Sequence, residues 1–185
     1  MTLIELVKIL QTFAKDHQKK TFHLKEVASF AGVSQAATGM TLLRAARKGL
    51  LWRVKNVWIN PMHPPSLEEL GLALVSPSYV SFESALNHHH ILSQSPRGGV
   101  TLATTGRSQS IPTPLGKISA IHLKESLFWG FDLERMALPE KAWLDLLYIR
   151  KKKGEKLSEV FYSDLLNHKR LKEFRKKIAF KKVVC

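Results

Sequence analysis

The tripeptide Gly32-Val33-Ser34 limits what this chain can fold into more than any other feature, because it separates two amphipathic helical patterns by the length of a single sharp turn. Before it, Leu24, Val27, Ala28 and Ala31 recur as i, i+3, i+4 and i+7, which predicts a helix over 24–31 with one buried face. Gly32 stands just past the last apolar position and supplies the left-handed backbone on which a helix stops abruptly. Val33 fills the apolar gap, and the Ser34 hydroxyl is placed to accept from a free N–H in the first turn of a second helix over 35–48. Gly49 ends that helix. Leu50–Val54 and Val57–Asn60 then alternate in character around Lys55-Asn56, which predicts a β-hairpin with a two-residue turn. Two helices at a tight turn followed by a hairpin is the layout of a winged helix-turn-helix, here spanning 1–61.

The second helix of such a layout is slim enough to enter the major groove of DNA, where each base pair shows a distinct set of donors and acceptors. Two of its faces compete for the core, one through Thr38, Thr41, Leu42 and Ala45 and the other through Ala37, Met40 and Leu43. Burying the first leaves Gln35, Gly39, Met40, Arg44, Arg47 and Lys48 toward the groove, with Ser34 at the helix start. Gln35 suits adenine and Arg44 suits guanine, each by paired hydrogen bonds, whereas Lys48, Arg53 and Lys55 suit backbone phosphates and position without specifying. Use of the same layout for protein contact is the alternative.

A chain of 185 residues holds one good core or two small ones, and the reader occupies only its first third. Asn60–Pro65 carries Pro61, Pro64 and Pro65, and neither strand nor helix runs through it, so a second domain is expected over 66–185. The one cysteine, Cys185, excludes an intramolecular disulfide and a Cys-rich zinc site. A reducing cytoplasm is the expected compartment, since neither a leader pattern nor a membrane-length apolar run occurs. The net charge of +14 is unevenly spread: 1–65 carries ten Lys and Arg against three acids, 66–149 six against eight, and 150–185 thirteen against four. A basic reader and a basic tail thus flank a near-neutral body, and cationic surfaces of this kind attract the phosphate backbone in a salt-dependent way.

In chain order, a helix is expected from Thr2 to about Phe13, opened by a Thr2/Glu5 capping box and lined by Ile4, Val7, Leu10 and Ala14. After the prolines, Ser66 and Glu69 pair to start a short helix through Leu74, and an extended piece leads into a helix at 82–86. Strands follow at 99–104, 109–113, 117–123 and 127–131, separated by glycines as hairpins require. Pro139 opens a strong helix through Arg150. The tail 150–185 resumes helically at 157–166 and again at 168–180, where Leu171, Phe174 and Ile178 form a stripe rimmed by Lys and Arg that docks while its charges stay wet. The expected class is α+β: a winged helix-turn-helix, then a compact mixed α+β domain with a basic helical tail.

Catalytic patterns are weak. His88, His89 and His90 project in different directions and lack a second ligand cluster, so no metal or cofactor is expected. Thr104–Ser108 has a Gly and an Arg but not the Gly-rich run ending in Lys-Ser/Thr that cradles phosphate. No acid has a Lys two positions on, as a metal-dependent nuclease strand would, and no Gly-x-Ser-x-Gly occurs. An enzyme is not expected.

Five blocks in order, Ser78–His89, Val100–Ser108, Thr113–Gly116, Leu127–Phe131 and Ala137–Tyr148, together resemble the AbiEi family, antitoxins of type IV toxin-antitoxin systems associated with abortive phage infection. With the reader, the resemblance covers about Thr2 to Arg150. It implies a protein that represses its own operon at operator repeats and counters a cognate nucleotidyltransferase-like toxin. By position in the blocks, Arg107, Glu140, Lys141 and Asp145 are the polar residues it nominates for antitoxin or partner function; pairing of Arg107 with a carboxylate, and capping by Glu140 and Lys141, are the structural alternatives. The chain departs from the family in His88–His90, where members often turn on a Gly, and in its short lysine-rich tail. A stand-alone regulator sensing a ligand or partner therefore stays open.

Overall fold

A computed structural model describes residues 1–16, 19–92, 98–154 and 165–178. The chain divides into two compact units, Met1–Leu74 and Val75–Cys185. The division falls beyond the proline stretch expected to mark it. Helix α4 (Leu67–Leu74) belongs to the first unit, where Lys20 Nζ reaches Glu69 at 3.1 Å. Glu69 also closes the expected box with Ser66, accepting from the Ser66 N–H at 2.6 Å while its own N–H donates to Ser66 Oγ at 3.1 Å.

The first unit contains α1 (Leu3–Asp16), β1 (Thr21–His23), α2 (Leu24–Ala31), α3 (Gln35–Arg47) and a hairpin of β2 (Trp52–Val54) and β3 (Val57–Ile59). The turn between α2 and α3 forms as its sequence dictates, with Gly32 at φ 62° and the Ala37 N–H donating to Ser34 Oγ at 3.3 Å. Helix α1 starts on the Thr2/Glu5 box but turns a different face inward: Leu6, Leu10 and Phe13 are buried, while Ile4 is 72% and Val7 39% exposed. Both stripes have helical spacing, and the larger Leu6–Leu10–Phe13 set wins because it meets Phe22, Val27, Leu42 and Trp58 in one cluster. Strand β1 was not expected. It adds to the outer edge of β3, pairing Thr21 with Ile59 and His23 with Val57 to make a three-stranded sheet in the order β1-β3-β2.

The second unit holds a four-stranded sheet in the order β4-β5-β7-β6, built from β4 (Ser78–Val80), β5 (Gly99–Thr104), β6 (Gln109–Thr113) and β7 (Gly116–His122). The glycine-separated strands do not form a simple run of hairpins. β6 pairs antiparallel with β7, and β7 lies parallel beside β5, Gly99 against Lys117 through Thr104 against His122. Pro112, which has no N–H to give, sits on the edge strand β6, where a missing donor is tolerated. The strand expected at 127–131 is a 3-10 turn (Glu125–Leu127) followed by irregular chain, since Gly130 takes φ 80° and only Phe131 bridges to Ala137.

Helix α5 (Phe82–His88) packs on β5 and on α6 (Pro139–Lys153). Phe82 opens α5 at φ 56° with its side chain fully buried, a backbone conformation that L residues resist. Thr101 ties that corner down: its Oγ1 donates to the Ser81 carbonyl at 2.8 Å and accepts from the Ser84 N–H at 3.2 Å. Helix α7 (His168–Ile178) docks through Leu171 and through Phe174, whose ring meets Trp129 edge-on at 4.9 Å, while Lys172, Lys176 and Lys177 stay exposed. Most of the segment expected at 157–166 lies outside the described residues, as do Phe180 and the last basic pair.

Candidate functional site

Helix α3 carries most of the residues that the sequence nominates for contact with DNA. Thr38, Thr41, Leu42 and Ala45 are buried against the rest of the unit, the face expected to turn inward. The single Thr41 hydroxyl proton has the Ala37 and Met1 carbonyls within reach, at 3.1 and 3.0 Å from Oγ1, which satisfies a hydroxyl that would otherwise be costly in the interior. Ser34, Gln35, Met40, Arg44, Arg47 and Lys48 are exposed, and Gly39 is half-buried. Helix α3 contains no acid, and the only one in 21–61 is Glu26. Glu26 is occupied by Lys19 Nζ and by the His23 N–H, both at 2.8 Å. Burial raises its pKa, but the hydrogen bonds from Lys19 and His23 and their positive charge outweigh that and hold it below the ordinary carboxylate value. The cations of α3 also lie toward its C-terminus, where they complement the helix dipole, so part of their role is structural.

The hairpin that follows α3 is tied by contacts its sequence does not suggest. Arg53 was expected at phosphates, yet its Nε donates to the Lys55 carbonyl at 2.9 Å and its guanidinium lies 5.1 Å from the ring centre of its cross-strand partner Trp58. It braces the turn rather than reaching freely from it. His23 Nδ1 donates to the Asn56 carbonyl at 3.2 Å from the other side, and Lys55 sits exposed at φ 54° at the tip.

In the second unit, the residues nominated by resemblance are not together on a surface. Arg107 is exposed in the β5–β6 connection, whereas Glu140, Lys141 and Asp145 are 2%, 0% and 1% exposed. Pro139 starts α6 so that its first turn points inward. Lys141 Nζ there meets the Asp145 carboxylate one turn on and donates to Tyr79 Oη at 2.8 Å. Tyr79 Oη and Ser81 Oγ each donate to Asp145 Oδ2 at 2.8 Å. The Trp129 ring centre lies 5.2 Å from Lys141 Nζ, close enough for a cation-π contact, whereas Tyr79 meets the ammonium group through its hydroxyl.

Burial lowers the Lys141 pKa against the pull of Asp145, and burial raises that of Asp145 against the pull of Lys141. Burial and the neighbouring carboxylate both raise the Tyr79 pKa. Glu140 serves as a clasp, accepting from the Asn167 N–H at 2.8 Å and lying 3.5 Å from Arg170, so it holds the start of α7. These three side chains support the interior and are not a contact surface. Tyr79, Ser81, Trp129 and Gly130 belong to the same cluster and were not singled out from the sequence. Only the Lys-x-x-x-Asp spacing of α6 hinted at it.

Among the described residues no group of three His, Cys, Asp or Glu side chains is placed to hold a metal ion, and no helix is long and apolar enough to cross a membrane. The His88 and His89 rings meet edge-on at 5.2 Å, and His89 Nε2 donates to the Ala137 carbonyl at 2.8 Å. His89 thus pins the end of α5 to the chain that leads into α6.

The class defined so far is a mixed α+β protein, with helices and a three-stranded sheet in the first unit and a four-stranded sheet in the second. No protein-family model matches the sequence, and no curated protein matches it. Among solved structures, the RV2827C protein from Mycobacterium tuberculosis is similar in fold, at 16% identity and a TM-score of 0.57, over 91% of this chain and 70% of that one.

Proposed function

We propose that the first unit is a winged helix that binds duplex operator DNA through α3, and that the chain is a cytoplasmic, non-enzymatic repressor of its own operon. The observation that carries this is the division of α3 into a buried Thr38–Thr41–Leu42–Ala45 face and an acid-free exposed face bearing Gln35, Arg44, Arg47 and Lys48. A helix that shows cations and an amide outward, beside a braced hairpin, suits a groove lined with phosphates and base edges. Mobility-shift titration on the chain's own promoter, against random duplex at matched salt, tests it. Preference for the promoter that declines steeply with added salt is expected, and equal binding to both refutes operator recognition.

The resemblance to AbiEi antitoxins extends the reading to neutralisation of a nucleotidyltransferase-like toxin by the second unit. Co-expression with such a toxin encoded next door should restore growth; continued arrest in the presence of full-length folded chain removes the antitoxin role. A second reading, a stand-alone regulator whose second unit responds to a ligand or partner, is favoured by one observation: three of the four residues nominated for antitoxin function are interior.

A further inference from the structure

Helix α3 carries a feature that its charges obscure. With about 3.6 residues per turn, the direction opposite Thr38, Thr41, Leu42 and Ala45 passes through Ala36, Met40, Leu43 and Arg47. Leu43 is half-buried and packs against the core cluster, so the outermost side chains of the helix are Ala36, Met40 and Arg47. Met40 is 54% exposed and one turn beyond Ala36, with half-buried Gly39 next to it. The first two turns of this outermost line, Ala36 and Met40, are therefore apolar, Arg47 follows them towards the end of the helix, and Gln35 and Arg44 stand to either side.

On the footing that α3 reads duplex DNA as above, we propose that Met40, with Ala36 beside it, recognises the C5-methyl groups of thymines in the major groove. The groove presents one apolar group, the thymine methyl, and short aliphatic side chains are the usual contacts for it. Met suits the task because its unbranched thioether adapts to small differences in depth. Base contacts in helix-turn-helix readers come from the N-terminal part of the second helix, which is where Ala36 and Met40 stand. A protein partner fits the same patch less well. Two aliphatic side chains are far short of the roughly 800 Å² per partner of a stable protein interface, and Arg44, Arg47 and Lys48 beyond them favour a polyanion. The consequence is an operator with thymines at its centre of contact, flanked by positions where Gln35 and Arg44 select adenine and guanine.

The test starts from duplexes that the full chain selects out of a randomised library, each remade with deoxyuridine in place of single thymidines. Uracil pairs as thymine does and lacks only the methyl group. Wild-type affinity is expected to drop about fourfold at particular thymines, the effect of withdrawing one methyl-sized apolar group from contact. Met40→Ala should bind the thymine and uracil duplexes alike, and Met40→Leu should keep the discrimination. Met40 is exposed, so an unchanged circular dichroism melt will show that these variants fold. Selected duplexes bound equally with uracil throughout would overturn the inference while leaving DNA recognition standing, and so would Met40→Ala retaining the full thymine preference. Failure to select any sequence over random duplex would overturn both.

Discussion

Replacing Lys141 with Met removes a buried cation while keeping most of the side-chain volume, and it leaves Asp145 at 1% exposure with Tyr79 and Ser81 as donors but no opposing charge. Losing one partner of such a pair costs about 3–5 kcal/mol. The carboxyl can limit the damage by taking up a proton. For a group that ordinarily titrates at 3.8, this costs about 4 kcal/mol at pH 7, at about 1.4 kcal/mol per pH unit. The two figures are comparable, so at pH 7 the folded variant divides between charged and protonated Asp145, and below pH 7 it holds a proton that the unfolded chain sheds. The folded state then binds more protons than the unfolded one, and stability must rise as pH falls from 7 toward 4. Protection of the α6 amides against hydrogen exchange, corrected for intrinsic rates, reads this directly. It should fall by about three orders of magnitude at pH 7 and regain at most about one and a half at pH 5.5. The double variant Lys141→Met/Asp145→Asn should be less damaged at pH 7 than Lys141→Met and nearly insensitive to pH in this range. If Lys141→Met leaves α6 protection unchanged, or loses it equally at both pH values, the account of an interior ion pair fails.

Arg44→Ala should cost about 1–3 kcal/mol at particular base pairs, while Lys48→Ala should weaken all duplexes alike and flatten the salt dependence; binding by Arg44→Ala that is unchanged across operator variants would show that another face reads. Gly130→Ala should lose about 1–3 kcal/mol in thermal unfolding, since φ is 80° and the new Cβ would stand 3.0 Å from Lys141 Cγ; an unchanged melting temperature would mean that the chain there relaxes freely. Because the folded Glu26 pKa lies below its ordinary 4.5, its contribution to the first unit is present above that pH and fades as pH falls through the lowered value. Glu26→Gln should remove that part of the acid dependence, and acid titrations of α2 helicity that superimpose for the two proteins would contradict it.

The parts of the fold legible in the sequence are those governed by neighbours along the chain. The Gly32–Ser34 turn, the Ser66/Glu69 box and the limits of α2 follow from caps and periodicity alone, whereas α3 offered two competing faces, of which the one through Thr38, Thr41, Leu42 and Ala45 is buried. Helix α1 exceeded that information. Its apolar positions form two overlapping stripes, and only the cluster around Phe22 and Trp58, remote in sequence, decides between them. Strand β1 is three residues long and owes its existence to β3, and the parallel pairing of β5 with β7 depends on where β6 lands. The nominated polar residues of α6 show the same limit. Spacing puts Lys141 and Asp145 on one side of the helix, but their inward direction depends on Tyr79 and Ser81, contributed from more than sixty residues away.

Trp129 lies between two cationic neighbours, with Lys141 Nζ 5.2 Å and Lys177 Nζ 5.4 Å from its ring centre, one from the interior and one from α7. The colour and yield of indole emission follow the local field, so this side chain works as a native optical probe of whether the last described helix is seated. Any agent that lifts that helix removes one ammonium group and admits water at the ring. The resulting spectral change needs no label, and a Trp129→Phe control separates it from the signals of Trp52, Trp58 and Trp143.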